Sequence, residues 1–223
     1  PMLSDGAGGF IGVCNFGGVA DFGTMFHLDV KTHGFTLLRD LADLASSKDG
    51  ADPRGRLVAG IDGALWGVAE NSGAEHCGIV FKVDPVTDSL VTVVDFTGNS
   101  GANKGSHPRA GLTSDGHGFM WGVTTGGGSN ERGTVYKIEE RTGAFHTVYE
   151  FGLPTKRSGP AGSGPETELV NDHKGYLWGT TKSAVFKLNM STGAVKVVAN
   201  FSSSTSSYHG TEPEALTLDD HGF

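Results

Sequence analysis

Short apolar stretches separated by turns rich in Asp and Gly run through the chain, and within them apolar and polar residues alternate with the period of β-strands. One such stretch recurs four times. Phe10-Ile11-Gly12-Val13 aligns with Leu65-Trp66-Gly67-Val68, Met120-Trp121-Gly122-Val123 and Leu177-Trp178-Gly179-Thr180. The shared glycines lie 55, 55 and 57 residues apart (67−12, 122−67, 179−122). A fixed period of this size with strand-like content predicts stacked or radial β units.

Each copy has one internal order. An apolar or mixed pair opens it (Leu57-Val58, Leu112-Thr113, Leu169-Val170, Leu216-Thr217) and an Asp/Gly turn follows. The Trp-Gly strand comes next, then a Gly-rich loop. A third strand carries Met25-Phe26-His27-Leu28, Val80-Phe81-Lys82-Val83, Val135-Tyr136-Lys137-Ile138 or Val185-Phe186-Lys187-Leu188. A second turn holds Thr32, Thr87, Thr142 or Thr192, and the fourth strand ends on Leu41, Phe96, Phe151 or Phe201. Asp, Thr and Gly suit tight hairpins because they bond their own backbone or tolerate positive φ. Four short antiparallel strands per copy make one propeller blade. The expected fold is therefore all-β: a single propeller domain spanning 1–223, with blades at about 2–41, 57–96, 110–151 and 167–201 and the opening strand of a further blade at 215–219. This is expected to be part of a larger ring. A closed four-blade ring is the alternative, with 215–219 competing with Met2–Ser4 for the same place. Helical periodicity is weak, and Asp40–Ser47 has room for one turn. The Trp residues are expected to pack between blades, and the turn aspartates, which lack the dense ligand spacing of a calcium loop, to serve the turns.

The copies resemble the GloVer tandem repeat of bacterial extracellular proteins. The residues that carry the resemblance are Leu112-Thr113-Ser114-Asp115-Gly116, Trp121-Gly122-Val123-Thr124, Gly126-Gly127 and Gly133-Thr134-Val135-Tyr136-Lys137. The first copy departs from the pattern at Ile11 and over 41–48, and the fourth has a shortened loop, Thr181-Lys182-Ser183. The resemblance implies a β-propeller outside the cell or at its surface, and no reaction. A second, fold-level likeness to quinoprotein-type propellers rests on Glu139-Glu140-Arg141-Thr142-Gly143 and Asn189-Met190-Ser191-Thr192-Gly193.

Composition narrows the function. A formal net charge of −8, with Lys156-Arg157 the one adjacent basic pair, argues against nucleic-acid binding, which needs a basic stripe. No apolar run reaches the roughly 20 residues of a membrane-spanning helix. The 36 glycines follow from the repeat. Cys14 and Cys77 flank Gly-rich loops of neighbouring copies without metal-site spacing, and are expected to be two buried free thiols, with a disulfide as the alternative. No Gly-x-Ser-x-Gly, His-Glu-x-x-His or phosphate loop occurs, and no helix follows Gly126-Gly127-Gly128. Neither catalytic residues, a metal site nor a cofactor is expected.

Repetition assigns most shared residues to the fold, so function is sought where the copies differ. In a propeller the strand 2–3 loops and the inter-blade loops share one face, and here they are long and variable, as binding loops tend to be. The candidate ligand-binding residues are Asp52, Arg54, His107, Arg109, Glu166, Glu212 and Glu214, beside a recurring proline, with Asn71, Glu75, Asn130 and Arg132 from the Gly-rich loops; Glu70 lies in the same loop set. Mixed Arg, His and Glu at a channel mouth suit a polar ligand, a glycan or a protein surface. The same residues are equally able to form inter-blade ion pairs. A propeller enzyme (hydrolase, lyase or quinoprotein-like) and a purely structural repeat are the alternatives.

Overall fold

The computed structural model describes residues 2–42, 51–152, 162–201 and 213–218. Its described residues form four four-stranded antiparallel sheets, each in simple sequence order. Blade 1 contains β1 (Leu3–Ser4), β2 (Gly9–Cys14), β3 (Thr24–Asp29) and β4 (Phe35–Asp40). Blade 2 contains β5 (Pro53–Ala59), β6 (Leu65–Ala69), β7 (Ile79–Val83) and β8 (Leu90–Asp95). Blade 3 contains β9 (Thr113–Ser114), β10 (Phe119–Thr124), β11 (Thr134–Glu139) and β12 (Phe145–Glu150). Blade 4 contains β13 (Val170–Asn171), β14 (Tyr176–Thr181), β15 (Ala184–Asn189) and β16 (Val195–Asn200). The fold is that of β-propeller blades. The fourth strands stop one residue before Leu41, Phe96, Phe151 and Phe201, and the first three of these side chains are fully buried. Residues 213–218 have no strand, so β1 alone fills the first position of blade 1. The helical turn expected over Asp40–Ser47 falls mostly outside the described residues.

Two side-chain rules build every blade. The Trp-Gly strand turns its two residues to opposite faces, as strand pleating requires. Trp66 and Trp121 face the following blade, where Trp66 packs with Leu112, Met120 and Ile138, and Trp121 with Leu177 and Leu188. The glycine makes room for an aromatic of the same blade: a Cβ on Gly67 would lie 2.5 Å from Phe81 Cζ and 2.9 Å from Leu57 Cδ2, and on Gly179 at 2.5 Å from Phe186 Cζ. Just before that aromatic each blade carries a register shift between its third and fourth strands, at Met25/Phe26, Val80/Phe81, Val135/Tyr136 and Val185/Phe186. The bulge repeats because the same ring must be seated each time.

The first turn repeats a hydrogen-bond set. Asp115 Oδ1 accepts from the N–H groups of His117 and Phe119, and Oδ2 from Trp121 Nε1 at 3.1 Å. Asp172 does the same for Lys174, Tyr176 and Trp178. Lys137 and Lys187 lie over the Trp121 and Trp178 rings from the paired strand. In blade 1 Asp5 pairs instead with His27, which stands where the lysine would be, and this hydrogen bond, with those from Gly9 and Ala7, holds the Asp5 carboxyl down to about 2. In blade 2 Gly60 replaces the aspartate, and Trp66 Nε1 is buried without a partner among the described residues. The turn aspartates are thus tied to their turns, as the spacing predicts.

Three apolar clusters hold the blades together, one at each seam. At the second seam Phe96 of blade 2 covers the stacked pair Tyr136–Phe145 of blade 3, with centroid distances of 5.2 and 5.8 Å. The equivalent stack in blade 1, Phe26–Phe35, has no blade over it among the described residues, and Phe35 is 63% exposed. At the other end Trp178 is half-buried where Trp66 and Trp121 are covered.

Tyr136 is the odd member of its series, with Phe at the three equivalent positions. Its hydroxyl is fully buried, unpartnered among the described residues, and burial drives its pKa far up. Tyr136→Phe is expected to raise stability by about 1 kcal/mol, because it removes a buried polar group whose desolvation nothing offsets. Gly67→Ala is expected to lower it by roughly 2 kcal/mol through overpacking against Phe81 and Leu57. Urea unfolding midpoints of the two variants check both signs.

Candidate functional site at the mouth of the central groove

The inter-blade prolines shape the mouth. Asp52, His107 and Gly164 each precede one and each has positive φ, at 47°, 56° and 62°. A residue before proline is normally extended, and this left-handed conformation is best tolerated by Gly and, among other residues, by Asn, Asp and His. Backbone geometry therefore selects Asp52 and His107 as strongly as any ligand would. Each chain segment then docks on the preceding blade. His107 N–H donates to Cys77 O at 2.8 Å, and His107 O accepts from Thr125 N–H at 3.1 Å. The proline ring lies over a glycine: a Cβ on Gly23 would come 2.8 Å from Pro53 Cδ, and on Gly133 2.8 Å from Pro165 Cδ.

The charged residues beside these prolines join into one chain across three blades. Arg54 Nη2 donates to Asp52 Oδ2 at 2.9 Å and its Nε to Glu70 Oε2 at 2.8 Å. Arg109 Nε donates to the other oxygen, Glu70 Oε1, at 2.6 Å. Arg109 Nη1 and Lys182 Nζ each stand 3.6 Å from Glu166 Oε1. Asn71 Nδ2 caps the chain on Asp52 Oδ2 at 3.1 Å. Glu70 is buried, and two guanidinium donors offset its desolvation. The Glu166 contacts are longer and wetter, and contribute little. Asp52 is also buried, and its Oδ1 has no partner among the described residues. Burial raises its pKa against the pull of Arg54, and the Glu70 carboxylate adds to the rise.

Beneath this chain the inner strands of blades 2, 3 and 4 enclose a groove of about 700 Å³. Arg109 and Glu166 stand over it, Val58, Thr113 and Leu169 line its wall, and Glu214 borders it from the 213–218 segment. Arg56 spans it, with Nε donating to Glu168 Oε1 at 2.7 Å from blade 2 to the approach of blade 4. A separate pocket of about 360 Å³ opens on the same face at the third seam, between Thr125, Asn130, Glu131, Arg132, Ser163, Gly164 and Lys182.

The structure thus gathers Asp52, Arg54, Asn71, Arg109 and Glu166 at one place, with Glu70 at the centre. Glu214 lies at the groove, and Arg132 in the seam pocket. Asn130 Nδ2 donates to Phe151 O and pins its own loop. Glu75 is exposed, and its carbonyl accepts from Cys77 Sγ. His107 is held by its backbone, and Glu212 lies outside the described residues. Cys14 and Cys77 are both free thiols, but Cys14 is exposed and Cys77 half-buried rather than buried. Arg56, Glu168 and Lys182 escaped the sequence reading. Arg56 was findable, since it lies two residues from Arg54 on one strand, whereas the reach of Glu168 depends on the blade arrangement.

The Gloeobacter/Verrucomicrobia repeat profile matches residues 1–185. The chain belongs to this family. No curated protein matches it significantly. Among solved structures, this repeat protein is similar to the extracellular domain of BT4673 from B. thetaiotaomicron, with 11% identity over 88% of the chain and TM-score 0.56. It is also similar to a gluconolactonase, XC5397, from Xanthomonas campestris (16% identity over 89%, TM-score 0.53) and to TolB from Acinetobacter baumannii (15% over 91%, TM-score 0.50). The chain spans 21%, 60% and 44% of those proteins respectively, under two thirds in each case. At such identities the likeness establishes the fold alone.

The raised pKa of Asp52 has a signed consequence. A carboxyl that titrates higher in the folded than in the unfolded chain contributes stability that is present below the unfolded value near 3.8 and is lost as pH rises through the folded value. Asp52→Asn keeps an oxygen for Arg54 and Asn71 and cannot ionise. The stability of the native protein relative to Asp52→Asn is therefore expected to fall as pH rises from about 4 towards neutrality, measured as the difference between their melting temperatures.

Proposed function

We propose that this repeat protein is a non-catalytic binding module that takes a glycan or a protein surface on its long-loop face, over the central groove, and that it works outside the cell or at its surface. The observation that carries the reading is the contrast between its two faces. The turns on one face draw on a small recurring set of Asp, Asn and Thr bonds, with Gly60 of blade 2 the exception. The opposite face varies at every copy, carries the ion chain from Asp52 to Lys182 and opens into a groove of the size of a small-ligand site. The charge chain holds the Arg109 and Glu166 side chains over that opening before any ligand arrives, which lowers the ordering cost of binding. The extracellular placement is supported by the family and by the similarity to an extracellular domain.

A purely structural role is the second reading, favoured by one observation: Asp52, Arg54, Glu70 and Arg109 are already ion-paired with one another across a blade seam. The two readings part at Arg109 and Arg56. Intact protein is applied to arrays of glycans and cell-surface polysaccharides and to immobilised candidate proteins. Binding is expected, with Arg56→Ala and Arg109→Ala each weakening it about tenfold, the scale of one charge-assisted hydrogen bond. If no probe binds, and both variants change the melting temperature alone, the module is structural.

A further inference from the structure

We infer that the seam pocket between blades 3 and 4 is an anion subsite, which takes a carboxylate or sulfate group of an acidic glycan between Arg132 and Lys182. The inference rests on the binding-module reading and names its ligand class.

The argument starts from what the copies do not share. Two repeat positions flank each seam in the sequence, and at the third seam they line one pocket: the residue before the third strand's leading glycine, and the residue three places after the Trp-Gly glycine of the next blade. At the first seam they are Phe22 and Glu70, at the second Cys77 and Thr125, and at the third Arg132 and Lys182. Two cations therefore meet at one seam, in a chain whose net charge is −8. The fold does not need them, since the other seams close without them.

The state of the two cations points the same way. The guanidinium of Arg132 is half-buried at the pocket and has no carboxylate partner among the described residues, whereas Arg54, Arg56 and Arg109 are all paired at 2.6 to 2.9 Å. Among the described residues the Lys182 ammonium has the long 3.6 Å contact with Glu166, an oxygen it shares with Arg109. One acid, Glu131, lines the same pocket, and its Oε1 accepts from the neutral Asn99 amide at 2.6 Å, so the two cations face a single carboxylate there. An arriving anion thus meets one uncommitted guanidinium, suited to bidentate recognition of a planar carboxylate, and one ammonium held by a weak contact.

The rest of the lining selects the class of molecule. Thr125, Asn130 and Ser163 offer hydroxyl and amide groups, and the pocket contains no large apolar side chain. A peptide partner draws its affinity from apolar and aromatic anchors, which have no seat here. A hydroxyl-rich sugar carrying one acidic group matches both the polar wall and the paired cations.

The test titrates the whole protein calorimetrically with four probes: trigalacturonate, the neutral trigalactoside, a sulfated disaccharide and a triglutamate peptide. The uronate or the sulfated sugar is expected to bind at least about tenfold more tightly than the neutral sugar, with a preference that shrinks at high salt. Arg132→Gln and Lys182→Gln are each expected to remove most of that preference while leaving the melting temperature within a degree or so of native. Lys196→Gln, on exposed β16, serves as the control and should leave it intact. The carboxylate and sulfate arms show which anion is preferred. Equal binding of charged and neutral sugars, unchanged by Arg132→Gln, overturns the subsite and leaves the binding module standing. Tighter binding of triglutamate overturns the glycan class in favour of an acidic protein partner. Loss of binding to every probe overturns the subsite and the glycan reading with it.

Discussion

The structure depends on sheet faces that cannot stay uncovered. A four-stranded blade buries nothing by itself, and its apolar residues reach a dry environment only when the next blade lies against it. The Trp-Gly pair is the smallest device that meets this need. Trp66 and Trp121 reach forward to fill the next seam, while Gly67 and Gly122 leave a hollow behind them for Phe81 and Tyr136 of the same blade. Large-forward and small-backward is one rule applied at successive seams, and it explains why the pair recurs as a unit. At the two ends of the described blades the same positions are less covered: Phe35 of the Phe26–Phe35 stack is exposed and Trp178 is half-buried.

Once the seams are fixed, the loops follow. The acid ending each fourth strand reaches back to the Gly-rich loop of its own blade: Asp40 accepts from Val19 N–H at 2.5 Å, Asp95 from Ala74 N–H at 3.1 Å, and Glu150 from Ser129 N–H at 2.5 Å. These bonds give long loops a defined shape without regular structure. In blade 4 the loop is shortened and the acid is replaced by Asn200, so the tie and the loop that needs it disappear together. Loop variation at the mouth therefore occurs on anchored loops, the condition under which surface residues can hold a position.

Period, strand content and turn chemistry are local, and they were legible in the sequence. The four-stranded order of each copy, the burial of Trp66 and Trp121 and the turn role of Asp115 and Asp172 all follow from spacing plus pleat geometry. The site was legible only in outline. Asp52, Arg54, Arg109 and Glu166 stood out because they flank a recurring proline, and the structure gathers them. Their convergence on Glu70 and the bridge from Arg56 to Glu168 depend on how one blade is rotated against the next, which no local pattern encodes. His107, like Asp52, sits before a proline at positive φ (56° and 47°), so backbone geometry accounts for its identity as readily as a ligand would. The opening pair Leu216-Thr217 reads as a strand by analogy with its repeats, yet 213–218 forms none, because a strand needs a neighbour to pair with as well as a pattern.

The same logic explains why a seam should carry charge at all. Apolar surfaces of similar volume would serve stability as well as a buried ion pair, and sometimes better. However, the apolar part of every seam here is nearly the same, with Trp or Ile facing Leu and an aromatic sitting over Gly. Such surfaces cannot tell one neighbouring blade from another, and repeat proteins are prone to misassembly for that reason. The charged positions are different at each seam. Glu70 of blade 2 fits Arg109 at the entry to blade 3 because its two oxygens accept from two guanidiniums, and a blade presenting Thr125 at that position offers Arg109 nothing equivalent. A wrong neighbour would leave Glu70 buried and half-paired, a larger loss than the native pair's net gain. The ion chain at the mouth thus orders the blades as well as shaping the opening, and this is why a residue can stand at the centre of the site and still owe its place to the fold.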